Sequence, residues 1–283
     1  MKKLIALLLT ALLTFALTAT FTACGGVSAE KDLQNVQANK VIRVGMECAY
    51  APYNWAMPTA NEYSAKIVNG SFADGYDVQI AKLIAKELGV TLEIKAIEWD
   101  GLIPALEAGE IDLIIAGMSP TEKRKLSIDF SDTYFDSHLV MVIRNDSSYV
   151  NAHSIQDFEG AKITGQLNTF HYDVIDQING VNKTTALADF AALIESLRSG
   201  AIDGYVCERP GAISAVTANS EFAYIEFDEG QGFVCDPADS SISIGLRKNS
   251  SLTSKINEIL ATLSSEARTK MMDAAIARQP AAE

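Results

Sequence analysis

The stretch ALEAGEIDLIIAG, residues 105–117, decides the fold, because it returns as SLRSGAIDGYVCE at residues 196–208, a constant offset of 91 positions. Each copy reads as the end of a helix, a glycine stop (Gly109, Gly200) and an apolar strand opened by Ile-Asp, with Asp112 matching Asp203. A chance likeness of two helix-glycine-strand units is the alternative. The pattern around the two copies favours a true repeat.

Working outward, VIRVGM (41–46) and TLEIKAI (91–97) read as strands, and Ile80, Leu83, Ile84 and Leu88 share one helix face that ends at Gly89. Asp100 is placed to cap a short helix carrying Leu102, Ile103 and Leu106. Strands alternating with helices predict an α/β fold with mainly parallel sheets. Two Rossmann-like lobes follow, joined by a two-segment hinge. Lobe 1 is expected to comprise 41–144 plus 241–283, and lobe 2 to comprise 145–240. LVMVIR (139–144) would lead into the second lobe, SISIGLR (241–247) would lead back, and the helices after Leu252 would complete the first. Ligands of open α/β sheets sit beyond the carboxyl ends of strands, so such lobes would face one cleft.

Residues 1–23 carry Lys2 and Lys3, an apolar stretch and small residues before Cys24, the layout of an export signal. A membrane-spanning anchor is the competing reading, since the stretch nears the ~20 apolar residues of a span. Phe21-Thr22-Ala23-Cys24 resembles the lipobox of bacterial lipoproteins, with phenylalanine where leucine is usual. The resemblance implies a lipid on Cys24 and a body held at the extracytoplasmic face of the membrane. Residues 24–40 then read as the lipidated cysteine and a tether. The full chain has a formal charge of −13, which becomes −15 without the two lysines of the signal, so nucleic acid is excluded as a partner. Cys48, Cys207 and Cys235 fit neither a zinc site nor a disulfide framework and read as buried thiols. His138, His153 and His171 lack a second ligand at metal-binding spacing, so no metal or other cofactor is expected. His171 and Phe170 are candidates for the rim of the second lobe.

AGMSPTEKR (116–124) follows the first copy of the repeat. Ser119 would be the N-cap, Pro120 the first helical residue and Glu122 the capping-box acid. A helix start with Arg124 beside it favours an anion, and a guanidinium meets a carboxylate with two parallel hydrogen bonds. A capping box with a surface arginine is the plainer alternative.

GMSPTEKR with IDFSDTYF (128–135), GMECAYAPYNW (45–55), ADGYDVQIAKLIAKELG (73–89) and WDGLIPALEAGEIDLIIAGMS (99–119) resemble the extracytoplasmic amino-acid-binding proteins of ABC importers. Those proteins have the type II periplasmic-binding-protein fold. The resemblance runs from about Val41 to the C-terminus. It implies that Ser119 and Arg124 bind the α-carboxylate of a free amino acid, with Thr121 assisting and Met118 lying among them. It implies that the Gly117 carbonyl and Glu208 take the α-ammonium, although aspartate is commoner at the position of Glu208. GQLNTF (165–170) is similar to a second-lobe loop in which Thr169 donates to the carboxylate, with Asn168 replacing the usual glycine. Tyr50 and Trp99 match positions flanking the ligand side chain, with core aromatics as the plain alternative. Glu47 matches an acid at the ligand's far end. Asp77 and Asp129 are read as caps or salt-bridge partners.

A zwitterion taken from water needs both charges paired, and Arg124 and Glu208 would supply this from opposite lobes. The expected protein is a monomeric, non-catalytic receptor that delivers a polar amino acid, with a cationic one favoured, to permease subunits served by a cytoplasmic ATPase. Glutamine or cystine is the alternative ligand. From another class, a cyclohexadienyl-type dehydratase would use Glu208 or Glu47 as general acid.

Overall fold

The computed structural model describes residues 29–236 and 239–280; the expected export signal and lipidation site, Cys24, lie outside the described residues. The chain forms β1 (Val41–Met46), β2 (Ala49–Tyr50), β3 (Asn54–Met57), β4 (Ala65–Lys66), β5 (Phe72–Asp74), β6 (Thr91–Ala96), β7 (Leu113–Ile114) and β8 (Ile128–Asp136). It continues with β9 (Leu139–Arg144), β10 (Lys162–Thr164), β11 (Asn182–Lys183), β12 (Gly204–Glu208), β13 (Phe222–Ile225) and β14 (Ser241–Arg247). The helices that matter here are α1 (Asp32–Asn39), α2 (Tyr76–Leu88), α3 (Leu102–Glu107), α4 (Glu122–Lys125), α5 (Phe170–Asp173), α6 (Phe190–Arg198), α7 (Arg209–Ala218), α8 (Leu252–Leu260) and α9 (Ser265–Arg278).

Two five-stranded sheets carry the lobes, in the orders β6-β1-β7-β14-β8 and β11-β10-β12-β9-β13. In each, three parallel strands are followed by one antiparallel strand, β14 or β9, that separates them from the last. The topologies are therefore the same, and the repeat extends to single hydrogen bonds. Glu110 and Ile111 donate their amides to the Ala105 carbonyl, and Ala201 and Ile202 donate theirs to Ser196. Gly109 and Gly200 have φ of 74° and 73°, a left-handed stop that glycine adopts without steric cost. Asp112 clamps the neighbouring strand by accepting from the Arg43 amide at 2.9 Å while its own amide donates to the Arg43 carbonyl. Asp203 does the same with Lys162, accepting at 2.8 Å.

Several boundaries differ from the sequence reading. LVMVIR pairs with β12 and β13, so the second sheet begins at Leu139 and not after residue 144. Burial on both faces makes such a strand equally apolar in either lobe. Of IDLIIAG only Leu113–Ile114 enters the ladder. Asp100 caps nothing; a 3₁₀ turn Trp99–Gly101 leads into α3, and the Asp100 carboxylate accepts from Asn168 across the cleft at 2.8 Å. The expected tether 24–40 is partly folded structure, because α1 forms and Asp32 is buried against Arg247 at 2.8 Å. The crossings between lobes lie side by side, Asp136 pairing with Ser241 and the Ser137 amide donating to Ser240. The C-terminal helices do not belong wholly to lobe 1, since α9 packs on α2 and also on α7, where Gln279 donates to the Ser214 carbonyl at 2.8 Å.

Asp129 pairs with Lys248 at 2.8 Å, as a salt-bridge partner should. Asp77 is instead a buried acceptor for Tyr134 (2.7 Å) and Asn54 (2.9 Å). Burial raises its carboxyl to about 6 against those two bonds and the Gly117 amide. Among the described residues no helix is long and apolar enough to cross a membrane, and no cluster of three metal-ligating side chains occurs. The three described cysteines are free; Cys48 and Cys207 are buried as expected, whereas Cys235 is only partly so because it lies in a surface loop.

Candidate functional site

Glu47 follows β1, the segment Gly117–Ser119 lies just beyond β7, and Glu208 ends β12, so the strand ends of both sheets converge. Glu208 is buried and held from both lobes. Its Oε2 accepts a very short hydrogen bond from the Tyr50 hydroxyl. Its Oε1 lies 2.8 Å from Nε2 of His171, with side chains only 1% and 5% exposed. Burial pushes this carboxyl up, but the charge and contact of His171 and the Tyr50 hydroxyl outweigh it, so the net direction is down. The Tyr50 ring stacks on Phe190 of α6, with centroids 4.0 Å apart and planes at 10°. Tyr53 lies tilted against it with centroids 4.9 Å apart, and two glycines leave room for the ring: a Cβ on Gly117, which has φ of 59°, would stand 3.1 Å from it, and one on Gly211 would stand 3.2 Å away.

The Arg124 end is built differently from its sequence reading. Ser119 is buried but is not a cap. Thr121 is the N-cap, accepting from the Arg124 amide at 3.3 Å, and α4 spans only four residues. The bend after β7 turns the chain so that the threonine, not the serine, precedes the first helical residue. So short a helix adds little field, and the guanidinium itself carries the positive charge. Nη1 of Arg124 donates to the Ser119 carbonyl at 2.9 Å and Nη2 to the Asn168 carbonyl at 3.4 Å. Its Cζ lies over the Trp99 ring, 4.9 Å from the centroid. Burial lowers the guanidinium to about 10, against the opposing charges of Glu208, Asp239 and Asp173. Two of its five N–H groups are engaged in this way, which leaves three for an anion.

Glu47 meets lobe 2 through Gln166, whose amide donates to Oε1 at 2.9 Å. Oε2 is buried without a hydrogen-bond partner among the described residues. Burial raises this carboxyl to about 8; the Gln166 amide opposes the shift, while Asp189, Glu98 and Asp100 add to it.

Tyr50, Trp99, Gly117, Ser119, Arg124, Thr169 and Glu208 line one narrow cavity together with Gln166, Phe170 and His171. It has room for about one water molecule, so an amino acid enters only when the lobes part. Met118, Thr121 and Asn168 line the wider mouth instead, and Glu47 sits beside the cavity behind Gln166. The Thr169 hydroxyl, expected to donate to a carboxylate, spends its one proton on the Gln166 carbonyl at 2.7 Å. Asn168 has φ of 58°, a left-handed conformation that asparagine tolerates and glycine adopts freely, in keeping with the glycine that the resemblance leads one to expect there. His171 is deeply buried and not at a rim. Gln166 and Phe190 were not singled out from sequence. Gln166 lay inside the quoted GQLNTF, and Phe190 follows Asp189, an N-cap accepting from Ala192, but neither signal says that the side chain faces the cleft. An open groove between α7 and α9 is lined mainly by apolar residues with Asp273 as its one acid, and lacks paired opposite charges.

The model of the bacterial extracellular solute-binding proteins, family 3, matches residues 42–274. The arginine-binding extracellular protein ArtP of Bacillus subtilis is 29% identical over 92% of both chains. A probable histidine-binding protein of Campylobacter jejuni is 30% identical, covering 77% of this chain and 81% of its own. Among solved structures, the arginine-bound form of a truncated ArgBP from T. maritima is 29% identical with a TM-score of 0.67, covering 82% of this chain and 100% of its own.

Proposed function

The chain belongs to the bacterial extracellular solute-binding proteins, family 3, and from that premise we propose that it captures a cationic amino acid for an ABC importer. The observation that carries the reading is that Arg124 and Glu208, from opposite lobes, line the same cavity. The three unengaged N–H groups of Arg124 take the α-carboxylate. Glu208 keeps two of its roughly four lone-pair sites for the α-ammonium beside Tyr50 and His171. The Gly117 carbonyl assists. Trp99 and Tyr50 wall the aliphatic part, and the far cation settles by Glu47, whose Oε2 lacks a partner among the described residues. The relatives named for arginine and histidine support this choice of ligand. A ligand that bridges the lobes favours their closure, so affinity and conformation are coupled. We read the chain as non-catalytic, working at the extracytoplasmic face with a lipid on Cys24 and a permease as partner. Turnover of prephenate or arogenate by the purified protein would reverse the first of these statements.

Calorimetry at pH 7 in buffers of different ionisation enthalpy tests the ligand class. Glu47 is mostly protonated at that pH, and an arriving cation makes it ionise. Arginine should therefore release about one proton more from the native protein than from Glu47→Gln. No binding heat with any amino acid would sink the proposal. Preference for glutamine with no such difference would favour the amide reading, which the Gln166 amide on Glu47 already exemplifies.

A further inference from the structure

We propose that His171 is a positioning residue for this site: its imidazole is the internal counter-cation of Glu208, and a ligand's ammonium competes with its proton for that carboxylate. The inference rests on the reading of Glu208 as ammonium acceptor. Nε2 and Oε1 are 2.8 Å apart with both side chains almost wholly buried, so little water screens a charge on either. The other ionisable groups around Glu208 are the Tyr50 hydroxyl from β2, Tyr53, Cys207 of β12, and Arg124. Of these only Arg124 is basic, and it is turned to the Ser119 and Asn168 carbonyls. His171 is thus the basic side chain in contact, an ion-pair partner when its ring is protonated. Neither of its ring nitrogens makes an aligned hydrogen bond, and Nδ1 meets no partner among the described residues.

Histidine is the side chain whose charge ordinarily changes between about pH 5 and 8. With a charged imidazole, Glu208 is already neutralised and an incoming ammonium meets a like charge. With a neutral imidazole, the full carboxylate charge faces the ligand. Linkage makes the effect reciprocal: acid weakens binding, and ligand makes His171 give up its proton at lower pH.

The chain has three histidines, so NMR of histidine-labelled protein resolves the question with arginine as probe. Saturating arginine should lower the His171 midpoint by about one pH unit, a tenfold coupling, and leave the exposed His138 and His153 unmoved. His171→Gln keeps a donor beside Oε1 without a titrating charge. Its affinity relative to the native protein should grow about tenfold as pH falls from about 8 to about 5, a ratio in which the titration of Glu47 cancels. The proposal is overturned if arginine binds with measurable heat while the His171 midpoint stays or rises, or if the variant loses the same factor at every pH. Absence of binding heat at all pH values would instead remove the underlying reading of Glu208.

Discussion

Glu208 ends one strand and Glu47 stands just beyond another, one in each lobe, yet the net shift of the two carboxyls is opposite. Glu208 is the more deeply buried and is held below the usual carboxylate range, because Tyr50 and His171 serve both of its oxygens. Glu47 has one amide on one oxygen and acids for neighbours, and rises to about 8. Depth alone therefore does not set the charge of a cleft acid; the partners do. One carboxylate has a protein partner on each oxygen, and the other has a partner on one oxygen only.

Glu208→Ala should break this contrast most severely. It removes one member of a buried pair and leaves His171 and the Tyr50 hydroxyl without an acceptor, a loss of about 3–5 kcal/mol in urea unfolding at pH 7. Amino-acid binding should disappear with it. The native carboxyl has a depressed folded pKa, so its stabilisation is present above the ordinary glutamate value of about 4.3 and is lost as pH falls through the lower folded value.

Glu47→Gln should act with the opposite sign. The folded value of about 8 lies above the ordinary one, so the cost of burying the charge grows as pH rises from about 4.5 to about 8. Below pH ~4.5 the variant should match the native protein. Above pH ~8 it should be more stable by about 2 kcal/mol, less than the whole shift implies because the residue is only partly buried, and should melt about 4–8 °C higher. Arginine affinity should nonetheless fall more than glutamine affinity; equal losses would remove the charge argument for selectivity. The smallest effect is expected for Tyr50→Phe, which takes one hydrogen bond from Glu208 and keeps the stack on Phe190. It should cost about 1–2 kcal/mol in stability, and a null result would mean that His171 alone sustains the contrast.

Much of this was legible in the chain. The 91-residue repeat foretold two matching sheets, and the Arg124 and Glu208 assignments met in one cavity, because strand ends are fixed by local pattern. What could not be read were contacts between residues far apart in sequence. The aspartate at 100 looked like a cap since only its neighbours were visible, whereas its partner, Asn168, lies in the other lobe. Ser119 lost the cap to Thr121 through a turn of backbone that no side-chain pattern reports. His171 passed for a rim residue because nothing nearby in sequence reveals that Glu208 lies against it.

Arg247 donates to Asp32 and also to the carbonyls of Leu106 and Ile111, so the first helix is riveted to the interior of lobe 1. Folded structure is described from Ala29 onward, five positions after Cys24. At no more than about 3.5 Å per residue, a lipid on that cysteine would moor the body on a leash under about 20 Å long. So short a mooring would limit how the molecule tumbles over a bilayer, and would keep a membrane-embedded partner within reach without a search through open solution.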